Sequence, residues 1–321
     1  MAYLGKITFV WLVIFGSLLA GYALKRSGRV SDPGKASGSI VRFAIRCLIP
    51  MVVGFAFWRM DLSNRRIWTL PLFAAALSTI QLFLGIWMAD LQGLDRQKKG
   101  SFVTCSMVSN VGYPLAGFLC FVLFGEIGFS LTVLYCLYFG PYLYTVTFYA
   151  AEHYSSEGRV RIRDSLKKFF TDGIRLFPFL GIVCGLSLNL LGIERPEPIT
   201  AFNKFLVPMT TAVYLFGIGL TVRFSQMRHY RRECALISVI KFVISPIIGL
   251  GMGYLLGYHN IMNGLVLKVV FLESAMPVGI SVLMLPALFK LDQDLSNSCW
   301  IVTTVLLIPI LPILLFILTF L

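Results

Sequence analysis

Runs of about twenty consecutive apolar residues recur along almost the whole of this 321-residue chain, parted only by short polar stretches. About twenty such residues, coiled as a helix, cross the hydrocarbon core of a bilayer. Inside that core an unpaired backbone N–H or C=O costs several kcal/mol, so a chain built this way folds as a helix bundle or a closed barrel. Barrel strands alternate apolar and polar residues, whereas these runs are continuous. Charged residues make up 13% of the chain, about half of the quarter found in soluble proteins. The expectation is an all-α integral membrane protein, multi-pass, in the plasma or cytoplasmic membrane, with the lipid bilayer as its solvent.

Ten spans are expected, at about 6–24, 37–57, 67–90, 100–124, 128–150, 174–193, 203–222, 234–257, 261–289 and 296–320. The connections between them fall on alternate sides. Eighteen basic residues gather on one side, among them Lys25, Arg26, Arg96, Lys99, Arg161, Lys167, Arg231 and Lys290, and six on the other, including Lys6, Arg59 and Arg195. Basic loops stay in the cytoplasm, so both termini are expected on the non-cytoplasmic side. The longest polar stretch, 151–173, divides the chain into a five-span half (1–150) and another (174–321), and reads as a basic cytoplasmic linker.

The net charge of +13 is accounted for by these topology signals, and no nucleic-acid partner is expected. The seven cysteines are scattered through apolar stretches without metal-ligand spacing, and the three histidines lie outside the spans. The chain has no H-E-x-x-H, no Ser/His pair within a span and no Gly-rich phosphate loop, so neither an enzyme nor an ATP-driven pump is indicated. The first apolar run is too long for a cleavable signal.

Two stretches break the apolar pattern. The fourth span contains "SNVGYPLAGF", with Ser109, Asn110, Gly112, Tyr113 and Pro114, and the ninth contains "ESAMPVG", with Glu273, Ser274, Met276, Pro277, Val278 and Gly279. Proline removes a backbone donor and clashes one turn back, and glycine admits backbone angles that other residues avoid. The two prolines lie 163 residues apart, about half the chain. A half with five spans, an odd number, enters the membrane from the side opposite to its partner. The reading is therefore two inverted five-helix repeats whose fourth and ninth spans are broken and cross, the plan of many secondary carriers. The first turns after such breaks carry free N–H groups and partial positive charge, which suit an anion. Ser109, Asn110, Gly112, Tyr113, Pro114, Ser274, Met276, Pro277, Val278 and Gly279 are the candidate substrate-binding residues. Single prolines elsewhere, such as Pro178, Pro208, Pro309 and Pro312, are expected only to kink helices.

Charges within spans are costly and functional by default. Glu273, Lys268 and Lys241 are candidates for ion coupling, as cation ligand, protonatable group or counter-charge. For Lys268 the competing account is snorkelling to the surface. Arg42 and Arg46, four residues apart on one helix face, are candidates for steering an anion, with snorkelling again the plain alternative. For Asn110 the alternative is a hydrogen bond that glues helices together. A sodium ion near Asn110 and Glu273 is the alternative to proton coupling or to no coupling; a hard cation would need several oxygen ligands there. No other cofactor or metal is expected.

The stretches "SNVGYPLAGFLCFVLFGEIGFSLTVLY" and "ESAMPVGISVLMLPALFKLDQDLSNSCWIVTTVLLIPILP" resemble the auxin efflux carrier family, within the superfamily that includes the bile-acid and arsenite carriers. The resemblance implies transport of a small organic anion, a mono- or dicarboxylate that is auxin-, malate- or malonate-like. It implies a scaffold of spans 1, 2, 6 and 7, a mobile crossover domain of spans 3–5 and 8–10, elevator-type alternating access, and a homodimer through the scaffold. Glu273-Ser274 before "AMP" is similar to the bile-acid:sodium symporters, which implies sodium-coupled symport as the alternative. A non-transporting membrane sensor on the same fold is the other.

Overall fold

The computed structural model describes residues 2–155, 173–223 and 227–321. Most of the basic linker, residues 156–172, lies outside the described residues. Among them the chain is all-helical, apart from one isolated antiparallel bridge between Ser109 and Val278. In chain order the helices are α1 (Gly5–Arg26), α2 (Pro33–Trp58), α3 (Arg65–Leu91), α4 (Arg96–Met107), α5 (Tyr113–His153), α6 (Gly173–Leu190), α7 (Glu197–Gly219), α8 (Arg231–Leu255), α9 (Leu265–Ser274), α10 (Ile280–Phe289) and α11 (Gln293–Leu318). Seven of these, α1, α2, α3, α5, α7, α8 and α11, are long and apolar enough to cross a membrane. Large apolar side chains such as Leu12, Leu72, Phe83, Leu190, Phe205, Leu255 and Phe316 are exposed. Water would not tolerate so much exposed apolar surface; lipid would.

The helices depart from the ten expected spans for local reasons. The fourth span is cut between Met107 and Tyr113 and the ninth between Ser274 and Ile280, so each is present as two short pieces. The fourth and fifth run together as α5, but Gly125 at φ +69° bends the chain where the two were expected to meet. By contrast Pro178, Pro208, Pro309 and Pro312 sit inside continuous helices. Among the described residues five π-helical turns, including Ala44–Leu48, Tyr113–Gly117 and Ile240–Ile244, widen the helices. Two of them directly precede Pro50 and Pro246, where a wider turn accommodates a ring that would clash with a regular one.

The chain divides into two compact units, each drawing on both halves of the sequence. The first comprises Met1–Arg65, Gly112–Val133 and Phe170–Val222. The expected scaffold and crossover domains kept spans four and five whole, whereas the observed division cuts span four at its break and assigns 112–133 to the first unit. Within this unit α2 packs on α6 and α1 on α7. The α2–α6 approach is so close that a Cβ on Gly181 would stand 2.8 Å from the Pro50 Cα. A polar lock ties the connections together. Arg195, nearly fully buried, pairs with the Glu126 carboxylate at 2.5 Å, donates to the Phe55 carbonyl at 2.7 Å and reaches the Thr200 hydroxyl. Asn203 donates to the other Glu126 oxygen at 2.6 Å, and Asn189 caps the Phe57, Trp58 and Met60 carbonyls at the end of α2.

The second unit comprises Arg66–Val111, Leu134–Phe169 and Arg223–Leu321. Here α3 packs on α4, α8 on α9 and α11, and α4 on α11. Its core is apolar at Phe102, Leu134, Val266, Leu272 and Leu295 but also holds polar side chains. Gln81 donates to Ser245 at 2.7 Å, and Ser78 shares a 2.8 Å bond with Tyr138.

Candidate functional site

Helix α4 runs regularly to Met107 and then stops. Val108 is extended, and the chain passes through Ser109 and Asn110 to Gly112, whose φ of +104° only glycine adopts easily. The second interruption, Ala275 to Gly279, follows α9. In the second unit the two interruptions lie side by side and satisfy each other. Asn110 N–H donates to the Pro277 carbonyl at 2.7 Å, and Gly279 N–H to the Val108 carbonyl at 3.0 Å. Val278 N–H, between them, donates to the Thr303 hydroxyl of α11 at 3.1 Å. Backbone groups that two broken helices would otherwise leave bare are thus paired inside protein, as an apolar surrounding demands. Gly279 is glycine for want of room: a Cβ there would stand 2.8 Å from the Ser109 carbonyl oxygen.

Lys241 completes this arrangement. It lies in a π-helical turn of α8 and is fully buried. Its ammonium donates to the Ser106 carbonyl at 2.6 Å and to the Ser109 hydroxyl at 2.8 Å. The Ser106 carbonyl belongs to the last turn of α4, where carbonyls lack intrahelical partners and the helix dipole is negative. A cation is the natural partner for that end.

The other candidates in this unit are distributed around the pair. Glu273 is fully buried at the end of α9, within electrostatic reach of Tyr135 and Tyr138. Ser274 is buried and turns its hydroxyl back to the Val270 carbonyl at 2.7 Å, against Gly249. Met276, Pro277 and Val278 are buried. Lys268 is half-buried. In the first unit, Tyr113 and Pro114 open the π-helical turn after Gly112 and are half-exposed. Arg42 and Arg46 are both exposed, with Arg42 donating to Ser39 at 3.3 Å. The structure therefore brings together Ser109, Asn110, Pro277, Val278, Gly279 and Lys241. Arg42 and Arg46 belong to the other unit.

Neither turn that follows an interruption is capped by a side chain. The turn beginning at Tyr113 has Gly112 at its N-cap, and the one beginning at Ile280 has Gly279, and neither N-cap makes a side-chain bond. Sequence reasoning missed Ser106, which acts through its carbonyl, and Thr303, whose only signal was a hydroxyl in an apolar span. It treated the cysteines as scattered, yet the Cys234 and Cys299 sulfurs are 3.7 Å apart. Among the described residues no cluster of His, Cys, Asp or Glu is arranged to hold a metal ion.

The sequence profile of the membrane transport protein family matches residues 7–315. An uncharacterized transporter of Methanothermobacter thermautotrophicus is 26% identical over 318 residues, covering 98% of both chains. A second uncharacterized transporter, from Methanocaldococcus jannaschii, is 25% identical over 232 residues, covering 70% of this chain and 71% of its own.

Proposed function

Because this chain belongs to the membrane transport protein family, that of the auxin efflux carriers, we propose that it is a secondary carrier of a small organic anion, a mono- or dicarboxylate. The observation that carries this reading is the mutual backbone pairing of the two helix interruptions beside a buried lysine. Interrupted helices in corresponding halves mark the substrate site of secondary carriers. Here the second interruption leads, within the second unit, into a turn at Ile280 without a side-chain cap. Such N–H groups stabilise a carboxylate, and Lys241 adds a full positive charge next to Ser109. We read the chain as ten spans in two inverted repeats, carrying the anion by elevator-type alternating access across the cytoplasmic membrane.

The Lys241 ammonium already takes the Ser106 carbonyl and the Ser109 hydroxyl, two of the several oxygens a hard cation would need. The reading is therefore of a carrier without sodium at this position. Lys241 supplies the positive charge, and Lys241 and Glu273, both fully buried, are the groups that would bind or release a proton.

Thermal stability of the purified protein against a panel of carboxylates, with and without sodium, tests this. A carboxylate at a hundred times its dissociation constant is expected to stabilise the protein by about 2.7 kcal/mol. The shift should be the same in sodium and potassium and absent from Asn110→Ala. A variant that responds as the natural protein does would remove Asn110 from the site. A panel that shifts neither protein would refute the organic-anion assignment.

A further inference from the structure

Away from the interruptions, the second unit holds a cleft of about 480 Å³ lined by Asp90, Leu94, Arg96, Lys99, His153 and Tyr154. It lies where α3 ends, α4 begins and α5 finishes, on the side where the basic connections gather. Arg96 donates to the His153 carbonyl at 2.8 Å and is otherwise exposed. Lys99 pairs with Asp90 and lies over the Tyr154 ring, 5.5 Å from its centroid.

Three features of this cleft point the same way. Its two fixed cations converge on one concavity, and a guanidinium with most of its donors free among the described residues suits the planar oxygens of a phosphate. It also contains a carboxylate, Asp90, which a bare phosphate would meet unfavourably but which can accept from hydroxyl groups. Finally, α3 arrives at the cleft with an apolar stripe on one face: Phe83, Trp87 and Leu91, four residues apart, are exposed at 64%, 57% and 67%. A tryptophan one turn from the end of such a stripe is placed as an interfacial anchor. The stripe offers acyl chains a surface that leads straight to the polar cleft.

We infer that this cleft binds an anionic phospholipid with a polyol headgroup, its phosphate on Arg96 and Lys99, its hydroxyls on Asp90 and its acyl chains along Phe83, Trp87 and Leu91. The volume suits a headgroup larger than phosphate alone, within the range of small-molecule sites. The site is independent of the organic-anion reading and stands or falls without it.

The test uses the full-length protein, delipidated in detergent, with native mass spectrometry to count retained lipid and thermal stability as a second readout. Short-chain phosphatidylglycerol, phosphatidic acid, phosphatidylcholine and inorganic phosphate are compared. Phosphatidylglycerol is expected to bind best, phosphatidic acid less well and phosphatidylcholine not measurably. Arg96→Gln should weaken phosphatidylglycerol about tenfold, the effect of one charge-assisted hydrogen bond, and Arg96→Lys should recover part of it. Trp87→Ala should weaken the lipid without weakening glycerol phosphate. Arg96 is exposed, so these variants should fold; monodispersity of each by size exclusion checks it. Equal retention of phosphatidylcholine, or unchanged binding by Arg96→Gln, overturns the inference. So does inorganic phosphate that stabilises the protein as much as phosphatidylglycerol does, since the site would then take a free anion.

Discussion

Arg195 is the residue whose removal has the best-defined consequence. Its guanidinium is nearly fully buried and serves three elements at once: Glu126 after the Gly125 bend, the Phe55 carbonyl near the end of α2, and Thr200 at the start of α7. Arg195→Met preserves most of the apolar stem but removes every donor. Glu126 then keeps the hydrogen bond from Asn203 but loses its ion pair, and the Phe55 carbonyl loses its side-chain donor. Breaking a buried pair from one side costs about 3–5 kcal/mol, because the remaining charge is desolvated and uncompensated. With an unfolding entropy of about 2.1 cal/mol/K per residue, that loss lowers the midpoint of a 321-residue chain by about 4–7 °C. Unfolding in detergent retains helix and has a smaller entropy, so the shift should be at least this large. The double variant Glu126→Leu with Arg195→Met removes both charges together and should recover most of the loss, because the cost lies in the orphaned charge. The assay is thermal unfolding of the two single variants and the double variant in one detergent. If the two single losses simply add in the double variant, the lock is not a coupled pair and the reasoning fails.

Three further outcomes are expected. Lys241→Met should fold, since it removes a buried charge together with its desolvation cost, but should lose at least tenfold in anion uptake by proteoliposomes; uptake like that of the natural protein would show that the charge does no work in transport. Gly279→Ala should lose about 1–3 kcal/mol in thermal unfolding, because its Cβ would meet the Ser109 carbonyl oxygen and Val108 at 2.8 and 2.9 Å and the paired interruptions must part to admit it. Asp95 caps α4 by accepting from Lys98 N–H at 3.0 Å, and chiefly that bond holds its carboxyl below the usual carboxylate range. A depressed folded-state value means the stabilisation is present in full above pH ~4 and is lost as the pH falls through the folded-state value. Asp95→Ala should cost about 0.5–2 kcal/mol at neutral pH, while Asp95→Asn should retain the cap and flatten the acid dependence in a urea series across pH 3–6.

The parts of the molecule that one segment decides by itself were legible in the sequence. Apolar length marked the helices, and proline with glycine marked the interruptions at Val108–Gly112 and Ala275–Gly279, because backbone freedom is a property of the residues concerned. Pro208 and Pro312, which stay inside continuous helices, have no glycine within two positions, but Pro141, next to Gly140, also stays within α5, so the pairing alone does not decide a break. Contacts between distant segments were not legible. Arg195 counted only as one basic residue in a connection, yet it is buried on a carboxylate 69 positions away. Lys241 was an in-span cation of open purpose until its partners, 132 and 135 positions away, came into view. The ninth span was long enough as a string of apolar letters, but it is divided between α9 and α10.

The way the two interruptions are satisfied bears on how the second unit can move. A proline and glycine in a membrane helix suggest a hinge, since the regular hydrogen-bond ladder is missing there. Here the missing ladder is replaced. The Asn110 and Gly279 N–H groups are donated across to Pro277 and Val108, Val278 N–H goes to Thr303, and Lys241 closes the end of α4. Flexing at either interruption would break at least one of these bonds in a medium without water to replace it, at about 1–3 kcal/mol for each orphaned group. The paired interruptions are therefore among the stiffer parts of the unit, although their sequence is the least helix-like. Residues at a substrate site gain from such stiffness, because donors fixed before the ligand arrives spend none of the binding energy on being ordered. In the carrier proposed above, conformational change is expected in regions where no buried backbone group has to be exposed, with the two interruptions kept as one piece.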